Sequence, residues 1–220
     1  LLAISQILGE AAFAQVPTGL VYMNGKQGPQ NTAGTNDIAA RAAAAGIKVI
    51  VPAMPWGRGA WESIAVTPEQ VFDTIDGYVR QLRAEGVQRV VIGGQSLGAN
   101  VALSYAVARP GMVAGVVMAA PGHSPQASYA RNAAVKADVD RACRMANAGQ
   151  GGEPFTGADE NQGNSVRLST TATVYCAWLN PRGRVAMPVQ AARVPASLPL
   201  LMVIGTKDPS FAFAESNIYR

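Results

Sequence analysis

The sequence predicts an α/β domain, with a mostly parallel sheet flanked by helices and interrupted by a helical cap insertion. From Gly19 onward, short β-branched runs alternate with longer helical stretches, the pattern of parallel strands joined by crossover helices. At 220 residues the chain suits one domain with a sizeable core and is short for two. Hydrophobic residues make up 49% and charged residues 15%, enough apolar surface to offset chain entropy, so a disordered chain is excluded.

The elements follow in chain order. The apolar stretch beginning Leu1-Leu2-Ala3-Ile4 runs into Ala12-Phe13-Ala14, an A-x-A pattern before Gln15. It resembles the latter half of a secretory leader, although it lacks a basic start and carries Glu10. Residues 1–14 are therefore expected to be a leader remnant, with an amphipathic helix as the alternative, and residues 15–220 a single domain. The stretch is too short to cross a bilayer, and no stable membrane span is expected. A leader implies a secreted or periplasmic protein; without one the protein is cytoplasmic.

Leu20-Val21-Tyr22-Met23 predicts a strand ending at Asn24-Gly25, and the Ala-rich stretch 33–45 predicts a helix stopped by Gly46. Ile47 to Val51 predicts a second strand, closed by Pro52 and Pro55. Thr67-Pro68-Glu69-Gln70 carries an N-cap, a proline at the first helical position and the spacing of a capping box, opening a helix to about Glu85. Gln88 to Ile92 predicts a buried strand, and Leu97 to Ala108 a helix that cannot pass Arg109-Pro110. Val113 to Met118 predicts the next strand. The rhythm then breaks over about 122–195, with a long helix predicted for Ala127–Ala148, a Gly-rich loop for Gly149–Gly163 and a further helix for Ser169–Leu179. Leu198 to Ile204 restores a strand, with a turn at Gly205-Thr206-Lys207-Asp208-Pro209.

Gly94-Gln95-Ser96-Leu97-Gly98 is a G-x-S-x-G pentapeptide. Composition alone would produce such a run in about one chain in ten, so its position carries the weight. It joins an apolar strand to a helix, where two glycines allow a sharp bend with no Cβ in the way and set the serine hydroxyl at a helix N-terminus.

Through this elbow, the strand-to-Asn24-Gly25 junction before it and the strand-to-Asp208 turn after it, the chain resembles the α/β-hydrolase superfamily of serine esterases and lipases over about residues 18–215. The resemblance implies that Ser96 is a nucleophile and that the Leu97 and Lys26 amides form an oxyanion hole. It implies Asp208 as the acid that orients a histidine, and an acyl bond as the target. Asn24 stands where the family often has His in H-G-x, which leaves a backbone role intact; a hairpin turn is the other meaning of Asn24-Gly25. Asp208 before Pro209 is also ordinary turn chemistry. Asp138, Asp140, Asp159 and Glu160 are expected on solvated faces.

A serine needs a base, and the family order puts the histidine last. The one histidine, His123, precedes Asp208. It is expected to line the site or to be merely solvated, with the general base as the lesser alternative, and Gln95 and Trp56 are further candidates for lining. Trp56, Trp61 and Met54 lie in a loop after a strand, either as the apolar wall of an acyl pocket or as loop packing. No initiating Met, half a leader and a missing last strand predict a chain truncated at both ends, with its histidine beyond residue 220. The alternative is a non-catalytic binding protein of the same fold.

Other classes are disfavoured. The net charge is +4, but the basic residues are scattered, so nucleic acid is not an expected partner. Two cysteines and one histidine cannot assemble a zinc spacing, so no metal is expected. Gly205-Thr206-Lys207 and Gly93-Gly94 lack the registers of phosphate and dinucleotide loops, so no cofactor is expected. Cys143 and Cys176 are either a disulfide in an oxidising compartment or two buried thiols. The expected partner is a small-molecule acyl substrate.

Overall fold

The computed structural model describes residues 16–208 and 211; the expected leader, residues 1–14, lies outside them. Among the described residues, five strands form one wholly parallel sheet in the order β2-β1-β3-β4-β7. These are β1 (Thr18–Met23), β2 (Lys48–Ile50), β3 (Arg89–Gln95), β4 (Gly115–Ala119) and β7 (Leu200–Val203). The central strands are nearly continuous runs of buried apolar residues, as expected where both faces are covered. Because β1 pairs with β2 and β3 in parallel, Asn24-Gly25 leads into a crossover and is not a hairpin turn.

Three helices complete the α/β repeat: α1 (Ala33–Ala44), α2 (Pro68–Ala84) and α3 (Leu97–Ala108). Thr32 caps α1 by accepting from the Thr35 N–H, and Thr67 with Gln70 closes the reciprocal capping box of α2. Helix α3 is buried along nearly its whole length, which accounts for its uniformly apolar sequence. It packs on α2 through Phe72 and Tyr105, edge to face at 6.0 Å.

The insertion differs from the helical cap expected. The long helix over Ala127–Ala148 is broken at Asn132, giving α4 (Pro125–Arg131) and α5 (Ala133–Asn147), because the Asn132 side chain accepts the Ala134 and Val135 N–H groups and caps the second helix. The Gly-rich stretch expected as a loop is a strand, β5 (Pro154–Asn161), paired antiparallel with β6 (Asn164–Thr171). Phe155, Gly157 and Asp159 alternate inward along β5, a period of two. Gln162 and Gly163, at φ 51° and 80°, form the two-residue turn that such a hairpin needs. The helix expected from Ser169 starts three residues later as α6 (Ala172–Leu179), capped by Thr171, and α7 (Met187–Ala191) follows. A Cys143–Cys176 disulfide ties α5 to α6.

The insertion meets the sheet domain through aromatic packing. Trp178 of α6 stacks edge to face on Trp56 at 5.8 Å and on Trp61 at 5.6 Å, and donates its indole N–H to the Val66 carbonyl at 2.7 Å. All three indoles are fully buried, and each removes on the order of 200 Å² of surface from water.

Candidate active site

Ser96 sits between β3 and α3 with φ 54° and ψ −120°, a backbone conformation that costs a non-glycine residue about 1–3 kcal/mol and is maintained only where its surroundings impose it. The surroundings are backbone. A Cβ on Gly94 would lie 2.5 Å from the Gly98 carbonyl carbon, and one on Gly98 would lie 2.5 Å from the Met23 carbonyl oxygen. The strand end, the helix start and β1 therefore close on one another only because both positions are glycine. The Ser96 N–H donates to the Ala119 carbonyl at 3.0 Å, anchoring the bend to β4.

Leu97 is the first residue of α3, so its N–H has no carbonyl one turn earlier to bond, and it carries the positive end of the helix dipole. Leu97 itself is fully buried and is not among the described residues that line the cavity, whereas the loop after β1 brings Lys26 to that cavity beside Ser96. That loop is held tightly. Asn24 donates from Nδ2 to the Gly25 carbonyl at 3.0 Å and to the Gly28 carbonyl at 2.7 Å, and Trp56 Nε1 donates to the Asn24 carbonyl at 2.9 Å. The Gln27 N–H donates to the Trp56 carbonyl at 2.8 Å. Trp56 thus lies buried behind the loop and does not line the cavity, contrary to its expected place. Among the described residues Trp61 does not line the cavity either, since both indoles pack on Trp178.

The Lys26 side chain is buried. Its Nζ donates to Asp159 Oδ2 and to the Glu160 carbonyl, both at 2.8 Å, and lies 4.9 Å from the Trp61 ring centre. Trp61 Nε1 donates to the same Asp159 oxygen at 2.8 Å. Side-chain exposure is 6% for Lys26 and 2% for Asp159, so Asp159 is no solvated loop acid. Burying its charge is tolerated because a cation and an indole N–H satisfy it. Asp159 is a site residue that sequence reasoning missed; the signal was the two-residue alternation of β5, obscured by its glycine.

His123 follows β4 and lines the cavity with Ser96, Gln95, Lys26 and Asp208. Its ring is buried, edge to face with Trp61 at 5.9 Å, and Nε2 lies 3.0 Å from the Trp178 carbonyl. A carbonyl only accepts, so Nε2 carries the hydrogen. Burial, reinforced by the Lys26 charge and opposed by Asp159 and the Trp178 carbonyl, pushes its pKa down to about 4. The ring is therefore neutral at pH 7.

The half-buried Asp208 reaches the cavity from the turn after β7, where its N–H donates to the Gly205 carbonyl at 2.9 Å. Gly122 passes so close to Ser96 that a Cβ there would lie 2.8 Å from Oγ. The cavity holds about 680 Å³, within the range of small-molecule sites. Among the described residues, no group of three His, Cys, Asp or Glu side chains could hold a metal ion, and no helix is long and apolar enough to cross a membrane.

Residues 29–214 match a protein family described as "Putative esterase". No curated protein matches the chain. Among solved structures it is similar to a monoacylglycerol lipase of Paleococcus ferrophilus, at 17% identity and TM-score 0.56, covering 86% of this chain and 73% of that one. It is also similar to the alpha/beta hydrolase GrgF from Penicillium sp. sh18, at 14% identity and TM-score 0.55, covering 94% and 92% respectively. The shared fold is that of the α/β hydrolases.

Proposed function

The chain belongs to the Esterase family and is an ester hydrolase of the α/β-hydrolase superfamily, and from that premise we propose that Ser96 is its nucleophile. The observation that carries this is the strained backbone of Ser96, locked between Gly94 and Gly98 at the N-terminus of α3. Ser96 Oγ attacks the acyl carbon, and the carbonyl electrons move onto oxygen, where the Lys26 and Leu97 amides receive the charge. The Ser96 proton passes to an imidazole and then to the departing alcohol; water releases the acyl group in the reverse sense. Asp208 orients that imidazole and stabilises its charged form.

We do not assign that role to His123, whose Nε2 hydrogen goes to the Trp178 carbonyl and whose burial holds its pKa down to about 4, a weak base at neutral pH. We assign the base to a histidine outside these 220 residues. We place the protein in an oxidising compartment on the strength of the Cys143–Cys176 bond.

In the full-length protein, a fluorophosphonate should label Ser96, and Ser96→Ala should lower kcat for ester hydrolysis by about 10³-fold or more. A folded protein that takes no label at Ser96 would leave the fold with a binding role alone.

A further inference from the structure

We propose that the substrate arm extending from Ser96 between α4 and the β5–β6 turn is hydrophilic and uncharged, bearing hydroxyl groups rather than an alkyl chain. This rests on Ser96 as nucleophile and names the class of ester it cleaves. The described residues lining the cavity include no Val, Leu, Ile, Met, Phe, Tyr or Trp; apart from the His123 ring, the apolar side chains are the methyl groups of Ala120 and Ala127. The wall is otherwise Gln95, Ser124, Ser128, Arg131, Asn161 and Gln162, together with the charged groups already placed.

These polar groups are available. Asn161 donates to Gln27, but the side chains of Gln95, Ser124, Ser128, Arg131 and Gln162 make no hydrogen bond or ion pair with any described residue. An alkyl arm laid along them would leave their donors and acceptors unpaired. A hydroxylated arm offers each of them a partner.

The charges argue for neutrality. Lys26 is balanced by Asp159, Glu160 accepts from Asn132, and Arg131 stands in the same cavity as Glu160 and Asp208. Cations and anions are mixed, so neither sign of ligand is favoured. The chemistry left is hydrogen bonding by groups that both donate and accept, which is what a row of hydroxyls offers.

The test uses the full-length protein and two matched ester pairs: sorbitol monoacetate against hexyl acetate, and ethyl gluconate against ethyl hexanoate. The first varies the alcohol arm and the second the acyl arm. The hydroxylated member should be favoured in kcat/KM by about tenfold or more in at least one pair. In Ser128→Ala and Gln162→Ala combined, that ratio should fall towards parity. Equal rates or an alkyl preference in both pairs would overturn the proposal. Ser96→Ala separates it from its premise: loss of all four activities supports Ser96 as nucleophile whatever the ratios, and retained turnover refutes that role. Calorimetry of the same four esters on Ser96→Ala reads the preference without turnover; tighter binding of the hydroxylated member supports the proposal, and tighter or equal binding of both alkyl members opposes it.

Discussion

His123 shows how far one residue's chemistry depends on where the fold puts it. In solution its imidazole titrates near 6.5, and here burial lowers that to about 4. Between those values the unfolded chain binds a proton that the folded chain does not, so stability rises with pH across the window and is lost as pH falls from 6.5 towards 4. Urea denaturation should show a midpoint that declines over this range, and His123→Gln should flatten the decline while leaving the behaviour above pH 7 little changed in slope. Because His123 stays neutral through the usual working range, an acidic limb in the esterase pH profile near pH 6 would report a different imidazole. Ser96 makes the complementary point, since its type suggests nothing special and its φ of 54° does.

At the scale of elements, the site depends on two junctions. The first is the close approach of β1, β3 and α3 at the elbow. Gly98→Ala would set a methyl 2.5 Å from the Met23 carbonyl oxygen; backbone cannot move aside as a side chain can, so a loss of about 1–3 kcal/mol or more is expected by denaturation, together with loss of fluorophosphonate labelling. The second is the Lys26–Asp159 pair, which fastens the loop carrying the Lys26 amide to the β5–β6 hairpin. Asp159→Asn keeps the shape and leaves a buried ammonium without its counter-charge. It should cost about 3 kcal/mol of stability and lower kcat as the loop loosens. Adding Lys26→Met removes the stranded charge, so the double variant should regain most of that stability, a coupling that a thermodynamic cycle would measure.

Across the whole molecule, the insertion is held to the sheet by three buried indoles and closed on itself by a disulfide spanning 33 residues. Replacing both cysteines by serine should lower stability by about 3–4 kcal/mol through the freed chain entropy of the unfolded state. Alkylation without reductant should add no mass at either cysteine. The parallel sheet, the capped helices and the elbow were legible in the sequence because each depends on residues adjacent along the chain: β-branched runs, Thr67 with Gln70, Gly94 with Gly98. The hairpin was not, because strand β5 has only a weak alternation and includes Gly157, and its pairing with β6 is what stabilises it. Trp56 was legible as an aromatic near the site but not as a buried prop behind the loop after β1. Asp159 was legible only as a charge, since its partner Lys26 lies 133 positions away. Sequence alone determined the fold class and the elbow serine, whose signals are local in the chain. Which acid is buried, which ring is neutral and which wall is polar were decided by tertiary structure, because desolvation and charge pairing are properties of neighbours in space.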